Sequence, residues 1–69
     1  MSHINVDTKY RKNPLSFVEG GCTIRLEFEG DNSKSYDKVK FPKNYISVAI
    51  ARHPTIVRVY QNDELIWVR

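Results

Sequence analysis

The sequence predicts a small α+β domain, in which an antiparallel sheet of about four strands carries one short helix on one face. A chain of 69 residues has room for one thin core and therefore for a single domain, residues 1–69. One stretch alternates strictly between apolar and polar residues, and further strand-like runs are separated by turn-forming residues. The predicted order is β-β-α-β-β. Because strand-like runs recur about every 8–12 residues, a small all-β barrel is the alternative.

The first predicted hairpin begins at Cys22. The run CTIRLEFE alternates, which is typical of a half-buried strand, and SKSYDKVKF follows after turn-forming residues. We place Asn32 and Ser33 in the loop, which sets the outward pairs and the inward pairs of the two strands. The outward pairs are Glu27 with Lys38, Glu29 with Tyr36 and Arg25 with Lys40, and the inward pairs are Ile24 with Phe41 and Leu26 with Val39. A slip of one residue would turn every side chain over.

Residues 44–53 are compatible with two structures. As a helix, they place Ile46, Ala49, Ile50 and His53 on one stripe, with Asn44 as the N-cap. As a strand, they alternate with β-branched residues on one face. The cap and the alanines favour the helix, and Pro54 ends it because a residue before proline avoids helical geometry.

The second predicted hairpin consists of residues 55–60, a turn at Gln61–Glu64 and residues 65–69. Parity makes this hairpin apolar on both faces. The inward set is Val57, Val59, Ile66 and Val68, and the outward set includes Ile56, Arg58, Tyr60, Leu65, Trp67 and Arg69. Residues 1–13 are predicted to be a flexible arm, in which His3, Ile4 and Val6 either form a short strand or fray.

Composition points to a soluble protein of a reducing, intracellular compartment, and we expect it to be cytoplasmic. A single cysteine cannot form an internal disulfide, the first 15 residues lack the apolar region of a signal peptide, and no run reaches the ~18 apolar residues of a membrane span. No membrane partner is therefore expected. Lys plus Arg number 11 against 8 acids, and this mild excess of +3 favours acidic or phosphate-bearing partners.

No catalytic chemistry is predicted. Cys22 shares the inward parity of its strand, so we interpret it as a buried structural residue. The two histidines lack metal-ligand spacing, and Glu27 and Glu29 lie on an open strand face without a pocket to shift a pKa. We therefore expect no enzyme activity, no metal site and no cofactor.

The predicted binding surface is the outward face of the sheet, where cations alternate with aromatic residues. Its members are Arg25, Tyr36, Lys38, Lys40, Arg58, Tyr60, Trp67 and Arg69. Such a surface suits protein interfaces as well as the stacked bases of single-stranded RNA or DNA. Because Glu27 and Glu29 share this face, we favour a small regulator, inhibitor or assembly factor. It would dock its sheet face or edge strand on a larger protein or on a second copy, and a nucleic-acid-binding module is the alternative.

Overall fold

The computed structural model describes residues 10–69 and confirms the order β-β-α-β-β within them. The elements are β1 (Cys22–Phe28), β2 (Asn32–Val39), α1 (Pro42–Arg52), β3 (Ile56–Gln61) and β4 (Glu64–Val68). The strands form one antiparallel sheet in the order β2-β1-β3-β4, and this sheet does not close on itself, so the barrel alternative is wrong. The predicted strand around Ile4 lies outside the described residues.

The sheet consists of two hairpins, β1–β2 and β3–β4, that meet where β1 pairs with β3. Helix α1 covers one face of this sheet, which we call the inward face, and the opposite face is called the outer face. The core lies between α1 and the inward face. It contains Cys22, Ile24, Leu26, Ile46, Ala49, Ile56, Val59, Ile66 and Trp67. No polar or charged side chain is buried among the described residues.

The helical interpretation of residues 44–53 is confirmed, but the predicted beginning of the helix is wrong. The helix begins at Pro42, which occupies its first turn, and no side chain caps it. Proline is suited to this position because its fixed φ matches a helix and the first amides have no helical partner. Ile46 and Ala49 face the core, whereas His53 is exposed. The His53 N–H donates to the Ala49 carbonyl at 2.9 Å, which closes the helix immediately before Pro54.

The predicted register of β1 and β2 is wrong. Leu26 pairs with Lys34 and Ile24 pairs with Tyr36, so the loop is residues 29–31 rather than Asn32 and Ser33. Gly30 and Asp31 both have positive φ (81° and 63°), a conformation that glycine adopts without strain and aspartate tolerates. This shift of the loop from Asn32 and Ser33 to residues 29–31 turns the central residues of β2 over. Tyr36, predicted to face outward, shares the inward face with Ile24.

A bulge near the end of β2 restores the predicted face of Val39. Cys22 pairs with Val39 while Ile24 pairs with Tyr36, so two residues of β2 oppose the single residue Thr23. The extra residue is accommodated at Lys38, whose φ is 59°. Val39 therefore packs against the core beside Cys22, as its alternation with Phe41 suggested.

Two further bulges change the faces predicted for the second hairpin. Ile56 and Trp67, both placed outward by parity, are 0% and 3% exposed and lie in the core. The register shifts between Glu27 and Phe28 where β1 meets β3, and between Val59 and Tyr60 where β3 meets β4. Each shift admits one extra residue and reverses the parity beyond it. The predicted turn is confirmed, because Gln61 pairs with Glu64 across a two-residue loop.

The segment before β1 runs from the edge of β4 past the beginning of α1. Tyr10 forms a β-bridge with Trp67, and the Arg11 N–H donates to the Ile66 carbonyl at 2.7 Å. Further along, the Lys43 N–H donates to the Leu15 carbonyl at 3.1 Å. This segment partly covers the free edge of β4. The flexibility expected of residues 1–13 stays a prediction.

Candidate functional site

The structure divides the predicted binding residues among several places. Arg25, Arg58 and Tyr60 share the outer face, as predicted. Tyr36 lies on the inward face, and Trp67 is in the core. The continuous platform of cations and aromatic rings is therefore not assembled, because the three bulges and the shifted β1–β2 loop place its members on different faces.

On the outer face, the cations are already engaged. The Arg25 guanidinium lies 4.2 Å from the centre of the Tyr60 ring and 3.7 Å from an Asp63 carboxylate oxygen. Glu27 lies between two arginines, at 3.8 Å from Arg25 and 3.4 Å from Arg58. Arg25 thus occupies the ring face of Tyr60 that a stacked base would need.

Trp67 and Arg69 connect the last strand to its neighbours. The Trp67 ring meets Tyr10 edge-on at a centroid distance of 6.5 Å, and the Arg69 guanidinium lies 5.1 Å from the Trp67 ring centre. Arg69 also donates from Nε to the Ile56 carbonyl at 2.7 Å. These contacts give both side chains a structural role, whatever else they bind.

Lys38 and Lys40 lie at and beyond the end of β2. Both residues are exposed, and neither has an acidic partner within residues 10–69. The Lys40 carbonyl accepts the Val18 N–H at 2.8 Å, which ties this end of the hairpin to the preceding segment. As binding residues, the two lysines stay predictions.

A groove of about 760 Å³ lies between β2 and α1. It exists because the inward residues of β2 lie beside the helix flank without being covered by it. The lining side chains come from β1 (Leu26 and Phe28), from β2 (Lys34 and Tyr36) and from α1 (Tyr45, Val48, Ala49 and Arg52). Its volume falls within the range of about 300–1,000 Å³ that is typical of ligand pockets.

Two aromatic contacts join the sheet and the helix along this groove. Tyr36 meets Tyr45 edge-on at 5.9 Å, and Phe28 meets His53 edge-on at 6.0 Å. Burial, and secondarily the neighbouring Tyr36, raises the pKa of Tyr45 above its ordinary value. The Tyr45 hydroxyl is therefore protonated at neutral pH and can donate a hydrogen bond.

The groove opens beside the free edge of the sheet. β2 pairs only with β1, and every residue of β2 except Val39 is exposed. No residue of the described chain pairs with its outer edge. A row of unpaired backbone donors and acceptors therefore lies next to a groove lined by both apolar and charged side chains, an arrangement that can receive another extended chain.

Cys22 is buried, as predicted. Its Sγ donates to the Val39 carbonyl at 3.4 Å, and burial raises the pKa of the thiol. At neutral pH it is an unreactive thiol rather than a nucleophilic thiolate. Within residues 10–69, no three His, Cys, Asp or Glu side chains lie close enough to hold a metal ion.

Sequence reasoning missed the groove and a second exposed apolar cluster. Strand parity places Tyr36 on the outer face, away from the helix. Phe17 and Phe41, half exposed and 5.3 Å apart, form the second cluster with Leu15. Correct placement of the loop at Gly30 would have found the groove, because it puts Lys34 and Tyr36 on the helix side.

Comparison of the chain with protein-family models, with curated proteins and with solved structures found no match. Over the part that the structure describes, no helix has the length and apolar character required to cross a membrane.

Proposed function

We propose that this protein is a non-enzymatic binding protein that receives an extended segment of a larger partner protein along the free edge of β2. The observation that carries this proposal is the position of the groove directly beside that edge. An added strand would satisfy the unpaired backbone groups of β2, and every second side chain of that strand would face the groove. Backbone pairing supplies affinity in this arrangement, and the groove supplies selectivity.

The length of the edge sets the length of the bound segment. β2 has eight residues, but the bulge at Lys38 interrupts its regular pairing. At about 3.3 Å per residue, the regular part from Asn32 to Tyr36 accommodates about five residues of the partner. Three of these residues would face the groove, beside Asn32, Lys34 and Tyr36. The site therefore suits a short linear segment of a partner.

Charge argues against a second copy of the same chain as the occupant. Lys34 and Lys38 lie on β2 against a single acid, Asp37. Pairing two copies of this edge would bring like charges together, which is a common way for edge strands to avoid self-association. A heterologous partner avoids this repulsion.

Selection of peptides from a random library tests the proposal without knowledge of the partner. We would display random decapeptides, select those that bind the whole protein, and map one selected peptide by chemical shifts of the ¹⁵N-labelled protein. We expect the largest shifts at β2 and on the flank of α1 that carries Tyr45 and Val48. Selection of no peptide, or shifts confined to the outer face or to Phe17 and Phe41, would contradict the proposal.

A matched pair of helix variants gives a second test. Val48 is 43% exposed and lines the groove, so Val48→Glu should place a charge in it without unfolding the domain. Ser47, the preceding exposed residue of α1, does not line the groove. We expect Val48→Glu to abolish binding of the selected peptide and Ser47→Glu to leave it intact. Equal effects in the two variants would contradict a site in the groove.

A further inference from the structure

Building on the proposed function, we infer that the groove selects partner segments in which an acidic side chain lies two residues from an apolar or aromatic one. The two positions come from the inward side chains of β2. Lys34 and Tyr36 are two residues apart and face the same side of the sheet. A strand added to β2 places two of its own side chains beside them, also two residues apart.

The acidic position follows from the distribution of charge. Lys34 and Arg52 both line the groove, and neither forms an ion pair with any residue of the described chain. In contrast, Arg25 and Arg58 are held by carboxylates on the outer face. Glu29 is the only carboxylate among the side chains that line the groove. A partner carboxylate beside Lys34 and Arg52 therefore meets two cations that are available to it.

The apolar position follows from the walls near Tyr36. Tyr36 contacts Tyr45 and is 39% exposed, and Val48 is 43% exposed across the groove. An apolar or aromatic side chain in this place would cover both residues. Aromatic cross-strand pairs of this kind stabilise sheet pairing.

The test uses the selected decapeptides and two doubly substituted proteins of equal charge. Lys34→Gln with Arg52→Gln removes the two groove cations, and Arg11→Gln with Lys43→Gln removes two exposed cations outside the groove. We expect the selected peptides to share the spacing of an acid and an apolar residue. Loss of the groove cations should weaken binding about 3–30-fold, which is the effect of two exposed charge pairs. The control protein should change by less than about twofold.

A chemically matched peptide completes the test. Replacement of the peptide's Glu by Gln should weaken binding to the unchanged protein as much as the groove variant does, and should have no further effect on that variant. Selected peptides that bind the groove without an acid, or equal loss in both doubly substituted proteins, would overturn this inference and leave the proposed function standing. Peptides that map to another surface would overturn both.

Discussion

Gly21 is predicted to be a position where one added methyl group disrupts the fold. Its φ is 86°, and a Cβ built on it would lie 2.4 Å from the Cα of Lys38, at the bulge of β2. Gly20 provides a matched control, because its φ is 83° but nothing lies within 4 Å of its Cβ position. Gly20→Ala should cost about 1–2 kcal/mol from the backbone conformation alone. Gly21→Ala should cost a further ~1–3 kcal/mol, because the backbone of β2 has to move.

These costs are large for a domain of this size. At about 0.05–0.15 kcal/mol per residue, the free energy of unfolding is about 3–10 kcal/mol. With a urea m-value of about 1 kcal/mol/M, Gly20→Ala lowers the midpoint by about 1–2 M and Gly21→Ala by about 2–5 M. The buried Trp67 reports unfolding by fluorescence. Equal midpoints for the two variants would refute the argument that the close approach to Lys38 matters.

Four further predictions concern the second hairpin, the thiol, the tryptophan and nucleic acid. Asp63 has a φ of 66° in a two-residue turn, a conformation that glycine prefers, and its ion pair with Arg25 is exposed and therefore weak. Asp63→Gly should therefore stabilise the domain by about 0.5–1 kcal/mol and raise Tm by about 2–8 °C. A lower Tm would show that the ion pair with Arg25 outweighs the turn. Burial raises the pKa of the Cys22 thiol, so this thiol's contribution to folding stability is fully present below the thiol pKa of the unfolded chain and is lost as pH rises through the folded pKa. At pH 8, alkylation of Cys22 should be much slower in the native protein than in urea. Equal alkylation rates would contradict the burial of Cys22. Trp67→Ala should lower the free energy of unfolding by about 3–5 kcal/mol, because Trp67 lies in the core. The amide NMR spectrum of this variant should lose dispersion, and a well-dispersed spectrum would contradict a core role for Trp67. Labelled single-stranded DNA should show no saturable binding at about 150 mM salt, because the aromatic residues do not form one platform; tight, steeply salt-dependent binding would favour the nucleic-acid alternative.

The order of elements was predictable because its signals are local. Alternation in CTIRLEFE needs only neighbouring residues, and the turn before Glu64 is evident from its composition. The helix was ambiguous in pattern. Its interpretation depended on the alanines and on a cap at Asn44, but the helix begins at Pro42 and no side chain caps it.

The register of the strands and the face of the sheet on which each side chain lies were not predictable, because both depend on single inserted residues. Gly30, Asp31, Asn32 and Ser33 are all turn-forming residues, so composition cannot place a three-residue loop among them. The contact of Tyr36 with Tyr45 across the groove depends on how β2 and α1 pack against each other, which local composition does not specify. Each bulge likewise depends on packing between strands. Beyond each bulge, the alternation of side chains between the two faces is reversed, and the predicted faces rest on that alternation.

The candidate site could be predicted only in part for the same reason. Arg25, Arg58 and Tyr60 were correctly placed on one face, because no bulge lies between that part of β1 and its partners. Prediction of the groove requires that Lys34 and Tyr36 lie on the helix side of the sheet, and their placement there depends on the position of the loop at Gly30. The choice between a sheet face and an edge strand as the docking surface also stayed open in the sequence.

The meeting of the two hairpins at β1 and β3 has a consequence for folding kinetics. Each hairpin closes a short loop, but the core beneath α1 draws on residues of both hairpins and is complete only when β1 pairs with β3. That pairing closes a loop that contains β2 and α1, so its entropic cost comes before most of the hydrophobic gain. We therefore expect the docking of one hairpin on the other to set the folding rate, because the core residues come from both halves of the chain.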